Sequence, residues 1–122
     1  MAASGTVSRS WKNFFWIAAI FNFLIGLAGM LVPEATTDAR IVGLLVFGMG
    51  IVYMQAARDP LRFAPTLWAG VIGKLGVVAL LGPQAIGPQG EALIVSILAC
   101  DALFAIGFLI FLLTKAEAAP VE

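Results

Sequence analysis

The sequence predicts an all-α integral membrane protein, a single domain over residues 1–122 built as a four-helix bundle with both termini in the cytoplasm. Of the 122 residues, 61% are hydrophobic and 11% are charged, and the mean hydropathy is +1.04. A soluble domain of this length cannot hide that much apolar surface, because about half of its residues must face water. The apolar residues also gather into four runs separated by proline-containing connections. We therefore expect lipid to surround most of the chain, in a cell membrane.

The first two apolar segments are predicted as helices over residues 12–32 and 40–57. The first is apolar except for Asn22 and ends at Pro33, and it reaches the length of about 20 residues that crosses a bilayer. The second is shorter and ends at the charged sequence ARDPLR, so its assignment depends on its flanks. Both should be helical, because in hydrocarbon each backbone polar group must be satisfied within its own segment.

The third and fourth segments are predicted as helices over residues 65–82 and 91–114. The third, which contains GVIGKLGVVALLG, is short and has Lys74 near its middle. The fourth, IVSILACDALFAIGFLIFLL, is long enough to cross a bilayer and contains Asp101. Proline lacks an N–H and is best tolerated in connections, so Pro83 is predicted to lie after the third helix.

Two charged residues and one amide are predicted to form a buried polar layer near the middle of the membrane. Depth is counted from the predicted cytoplasmic end of each segment, at 1.5 Å per residue. Lys74 then lies roughly 13 Å deep, Asn22 roughly 15 Å and Asp101 roughly 18 Å. A charge at a helix centre costs about 2.5–3.5 kcal/mol. We therefore expect an ion pair between Lys74 and Asp101, supported by Asn22. The pair is a clamp that fixes the helix arrangement, a proton- or ion-responsive centre, or a polar contact for a ligand between helices. In a further alternative, the two groups do not pair and each reaches a separate interface.

Glycines recur within the predicted helices at positions suited to close contact. In a membrane, small residues let two backbones approach each other where no hydrophobic effect drives association. The glycines predicted to serve helix packing are Gly43, Gly50, Gly70 and Gly73. They favour a bundle with short loops.

The distribution of basic residues predicts which side of the membrane each connection occupies. Five basic residues flank the segments on one side, namely Arg9, Lys12, Arg58, Arg62 and Lys115, whereas Arg40 is alone on the other. An excess of Lys and Arg marks the cytoplasmic side. The densest charged stretch, Arg58, Asp59 and Arg62, is therefore predicted as a cytoplasmic loop with a turn at Asp59. Docking of anionic lipid or of a cytoplasmic partner there is an open alternative.

Several classes of chemistry are disfavoured by composition. The formal net charge is zero, so no basic surface for nucleic acid is expected. Histidine is absent and Cys100 is the one cysteine, which disfavours zinc, haem and thiol redox chemistry. We predict no metal, no cofactor and no catalytic residue, and we interpret Cys100 as a packing residue.

The sequence ARIVGLLVFGMGIVYMQAARDP followed by LWAGVIGKLGVVALL resembles small uncharacterised four-helix bacterial membrane proteins of the DoxX-like kind. The resemblance implies a bacterial inner membrane and a partner on the quinone side of an oxidoreductase, and it assigns no site residue. Small multidrug exporters have a carboxylate in the first helix, where this chain has Asn22. Quinone-linked thiol oxidoreductases have cysteine pairs, which this chain lacks.

Two functions fit these features best. The first is an accessory or assembly subunit, not an enzyme, that packs against itself or a larger membrane complex. The second is a small proton- or ion-coupled transporter or channel that uses the Lys74–Asp101 pair. A membrane enzyme with Asp101 as acid or base is least favoured, because a neighbouring lysine would hold the carboxylate ionised.

Overall fold

Every regular element of the described chain is a helix. The computed structural model describes residues 7–88 and 90–118, with side chains up to residue 114. The α-helices are α1 (Arg9–Leu31), α2 (Thr37–Arg58), α3 (Pro60–Phe63), α4 (Leu67–Ala85) and α5 (Ala92–Ala118). Four helical segments of this described part are long and apolar enough to cross a membrane, as predicted. The chain divides into two compact units, one of residues 7–66 and one of residues 67–118.

The first two helices begin three residues earlier than predicted, because polar side chains cap them. The Ser8 hydroxyl oxygen accepts a hydrogen bond from the backbone N–H of Trp11 at 3.4 Å, and α1 begins at Arg9. In the same way the Thr36 hydroxyl accepts from the N–H of Ala39 at 3.1 Å. Such caps satisfy backbone donors that have no partner within the helix. They extend both helices beyond their apolar runs.

Helices α1 and α2 form an antiparallel hairpin whose backbones touch at glycines. A Cβ atom built on Gly43 would lie 2.7 Å from the carbonyl oxygen of Gly26 and 2.9 Å from the nitrogen of Met30. At Gly50 it would lie 2.6 Å from the ring of Phe23. At Gly43, where the neighbours are backbone atoms, only a residue without a side chain permits this approach. At Gly50 the nearest backbone atom, the carbonyl oxygen of Ala19, would lie 3.1 Å from the Cβ atom. The predicted packing roles of Gly43 and Gly50 are confirmed.

Arg40 closes the turn between α1 and α2. Its Nη1 donates to the carbonyl oxygen of Met30 at 2.6 Å, and its Nη2 donates to those of Val32 and Pro33 at 3.3 Å. Its Nε donates to the carbonyl of Ala35 at 3.4 Å. The last carbonyls of a helix lack partners within it and carry partial negative charge. One guanidinium therefore caps α1 and holds the loop that follows.

Substituting Arg40 tests this cap. We expect Arg40→Gln to destabilise the hairpin by about 1–2 kcal/mol, because several carbonyls lose a charged donor. Hydrogen exchange at the amide of Val32, which bonds to the Ala28 carbonyl at 3.1 Å, should become faster. Arg9→Gln, at the other end of α1, should leave that exchange rate unchanged. Equal rates in the Arg40 variant and the unmodified protein would contradict the capping role.

The stretch predicted as a cytoplasmic loop is itself partly helical. The N–H of Asp59 donates to the carbonyl of Gln55 at 3.0 Å and ends α2. Pro60 is the first residue of α3. Its missing N–H costs no hydrogen bond there, because an N–H at the first position of a helix has no acceptor within the helix. A 3-10 turn over Ala64–Thr66 follows. The turn at Asp59 is confirmed.

In the second unit, both helices run further than predicted. Helix α4 continues to Ala85, so the prediction that Pro83 follows the helix is wrong. Proline at this position removes one hydrogen-bond donor from the last turn. The helical hydrogen bonding nevertheless continues past it, because the N–H of Ile86 donates to the carbonyl of Gly82 at 3.1 Å. Helix α5 ends at Ala118 rather than at residue 114, since alanine, lysine and glutamate favour the helix after the apolar run.

Candidate functional site

Lys74 of α4 and Asp101 of α5 form a buried ion pair. The Nζ atom of Lys74 donates a hydrogen bond to Oδ1 of Asp101 at 2.7 Å. The side chains are 6% and 14% exposed. The predicted pairing is confirmed, and the alternative in which each group reaches a separate interface is wrong.

The helical repeat places Lys74 on the buried side of α4. The buried residues Leu67, Gly70, Val71 and Lys74 follow the spacing of three and four positions that lines one helix face. Gly70 lies one turn before Lys74 on that face. Its predicted packing role stays a prediction.

An aromatic ring also lies beside the ammonium group of Lys74. The Nζ atom of Lys74 lies 5.3 Å from the ring centroid of Phe104, a distance at which the ring face attracts a cation. Phe104 follows Asp101 by three residues, so both lie on one face of α5. Phe104 in turn stacks on the fully buried Phe108, with centroids 6.5 Å apart. Sequence reasoning missed Phe104, although its spacing from Asp101 was a usable signal.

The charges of this cluster cancel within the hairpin of α4 and α5. A short hydrogen bond between charged partners is about twice as strong as a neutral one, and removing either partner would leave an uncompensated buried charge. The arrangement therefore joins α4 to α5 through one charged hydrogen bond. In the described part of the chain, no group of three or more His, Cys, Asp or Glu side chains is placed to hold a metal ion.

Asn22 lies in the first unit, whereas Lys74 and Asp101 lie in the second. The side chain of Asn22 is buried, and its Nδ2 donates to the carbonyl oxygen of Val46 at 3.0 Å. This bond joins α1 to α2. Participation of Asn22 in the Lys74–Asp101 layer stays a prediction.

Gly73 lies outside the contact between α4 and α5 in the described part of the second unit. It is exposed, and a Cβ atom built on it has no atom of the described chain within 4 Å. A Cβ atom built on Gly76, which is half-buried, likewise has no described atom within 4 Å. The buried side of α4 runs through Gly70 and Lys74 instead, so Gly73 does not pack against α5, and its predicted packing role against another helix stays a prediction.

The three charged residues predicted as a cytoplasmic loop are exposed at one end of the first unit. Arg58 is the last residue of α2, and Asp59 separates α2 from α3. The guanidinium carbon of Arg62 lies 5.2 Å from the ring centroid of Phe63. The side chain of Lys115, which shares their predicted side, lies outside the described residues.

Comparisons with family models, with curated proteins and with solved structures found no match to this chain. The DoxX-like resemblance therefore stays a prediction.

Proposed function

We propose that this protein is a multi-pass membrane protein without a catalytic role, which acts as an accessory or assembly subunit of a larger membrane complex. Four helices of sufficient length and apolar composition support a membrane location. Bulky apolar side chains also point outward, such as Ile72 at 71% and Leu80 at 77% exposure. Lipid accepts such surfaces, whereas a water-exposed apolar surface of this extent promotes association. The positive-inside rule supports cytoplasmic termini, and the DoxX-like resemblance supports a bacterial inner membrane.

The observation that carries the assembly role is the open space at two glycines of α4, Gly73 and Gly76, which lie outside its contact with α5. Gly26 and Gly43 lie in backbone contact, whereas Gly73 and Gly76 have no described neighbour within 4 Å of a built Cβ. A glycine inside a helix costs about 0.5–1 kcal/mol relative to alanine. Close packing by another transmembrane helix offsets this cost. Gly73 and Gly76 therefore support a contact between α4 and a helix of another protein.

The Lys74–Asp101 pair supports the same interpretation. The two charges neutralise each other at 2.7 Å, and Phe104 lies against the ammonium group. An ion pathway would need groups that exchange with water, whereas a helix clamp needs none. The pair therefore serves the structure of the subunit.

The proposal predicts that a bulky side chain at Gly73 removes the partner and leaves the fold intact. We expect the unmodified protein, purified in mild detergent, to retain a partner at fixed stoichiometry. Gly73→Leu should lose that partner at unchanged thermal stability, because the position is open within this chain. Ile72→Leu, a change of an exposed bulky residue on the same helix, is the matched control.

A protein that is monomeric and without a partner in several mild detergents would contradict the assembly role. A homo-oligomer alone would leave the transporter alternative open, for which the 14% exposure of Asp101 is the supporting observation. Ion flux into vesicles containing the protein, abolished by Asp101→Asn, would then decide for transport. We expect flux equal to that of empty vesicles.

A further inference from the structure

One end of the first unit concentrates positive charge. Helix α1 begins at Arg9 and α2 ends at Arg58, and the contacts of Gly26 with Gly43 and of Gly50 with Ala19 show that the two helices are antiparallel. The start of α1 and the end of α2 therefore lie together. We call this surface the basic end, defined by four exposed residues: Arg9, Lys12, Arg58 and Arg62.

The basic end has cationic groups that the described chain does not neutralise. Within the described residues, none of its four side chains forms a hydrogen bond or an ion pair. Among these four, Arg62 alone has a cation–π contact, with the ring of Phe63. Of the acidic residues described in the first unit, Asp59 alone lies beside them, and it is exposed as well. By contrast, Arg40 at the other end of the hairpin donates to four carbonyls. The donor groups of the basic end are thus open to a ligand, whereas those of Arg40 are already used by carbonyl oxygens of the chain.

Aromatic side chains lie directly beside the basic end. The ring of Trp11 lies 5.9 Å from the ring of Phe15, nearly parallel to it, and 5.9 Å from the ring of Phe14, edge to face. Tryptophan is enriched at the level of the lipid headgroups, where its ring has both apolar and polar surroundings. Trp11 therefore places the neighbouring cations at headgroup depth.

We propose that the basic end binds the phosphate groups of anionic lipids. The inference rests on the membrane location proposed above. Clusters of four to eight Lys and Arg residues at the end of membrane helices attract anionic headgroups, and guanidinium groups bind phosphate with paired hydrogen bonds. The basic end has three arginines and one lysine. Their side chains, which form no hydrogen bond or ion pair with the described chain, supply these donors.

The test is lipid competition on the intact protein in neutral detergent. Phosphatidylglycerol and phosphatidylcholine with the same acyl chains are added in equal amounts, and bound lipid is measured by native mass spectrometry. We expect the unmodified protein to prefer phosphatidylglycerol. Each basic residue near an anionic surface contributes roughly fivefold, so R58Q/R62Q should lower the preference by roughly tenfold or more. Added salt should weaken binding of phosphatidylglycerol only.

Two variants separate local charge from other effects. R58K/R62K keeps the charge and should keep most of the preference. Glu34→Gln raises the net charge at the opposite end of the hairpin, where Glu34 is exposed, and should leave the preference unchanged.

Equal binding of the two lipids, or a preference unaffected by R58Q/R62Q, would overturn the inference and favour an acidic protein as the partner of the basic end. The assembly role would survive that result, because it depends on Gly73. Release of the protein from membranes by alkaline carbonate would instead overturn the membrane location, and with it both proposals.

Discussion

Lys74→Met and Asp101→Leu should each destabilise the protein strongly, and the double variant should recover most of the loss. Each single change leaves one buried charge without its partner at 2.7 Å, and breaking a buried ion pair in this way costs about 3–5 kcal/mol. Replacing both partners by apolar residues removes the charges together and is often neutral. Unfolding in detergent, followed by circular dichroism over a denaturant series, measures all three variants.

Ile72→Met is the control for the lysine substitution. It introduces the same side chain two positions away, at a site that is 71% exposed, and should change stability by less than about 0.5 kcal/mol. If the two single variants were harmless and the double variant were their simple sum, the pair would have no energetic role. If the double variant unfolded as readily as the single variants, the stability lost in each would come from contacts of Lys74 and of Asp101 with other groups.

Gly26→Ala should destabilise the first hairpin although it adds only a methyl group. The added Cβ would overlap the backbone nitrogen of Phe47 and lie 2.6 Å from the carbonyl oxygen of Gly43. Both are backbone atoms, so α1 and α2 must separate along their contact. We expect a loss of about 2–3 kcal/mol in the free energy of unfolding, as for overpacked cores.

Gly48→Ala in α2 should have the opposite sign. Gly48 is exposed and no described atom lies within 4 Å of a Cβ built there. Alanine is the better helix former by about 0.5–1 kcal/mol, so this variant should be as stable as the unmodified protein or more so. A loss of equal size in the Gly26 and Gly48 variants would contradict the backbone contact, because intrinsic helix propensity would then explain both results.

The four long helices and the ion pair were predictable from the sequence for simple reasons. Long apolar runs identify segments that need lipid or a buried surrounding, and their helical form follows from backbone hydrogen bonding. The Lys74–Asp101 pair was predictable from the depth of the two residues in the membrane. Each charge lies near the middle of its apolar run, where an unpaired charge is costly. Neither inference needed atomic detail.

The errors concern features that hydropathy does not encode. The early starts of α1 and α2 depend on single hydrogen bonds from Ser8 and Thr36. Whether Gly73 faces α5 depends on how α4 is rotated about its axis. The sequence of α4 is apolar on nearly all sides of the helix and therefore does not predict that rotation. Arg40 was interpreted only as a marker of orientation, because its capping bonds exist only once the turn has formed.

If the chain enters a membrane as proposed above, the closure by Arg40 also bears on how it does so during synthesis. All four of its carbonyl partners precede it by ten residues or fewer, so the turn can close before α2 has been synthesised. A nascent chain that closes this corner early can deliver two apolar segments to the bilayer as one body. The backbone polar groups of the corner would then already be paired when the segments leave water, which lowers the desolvation cost of insertion.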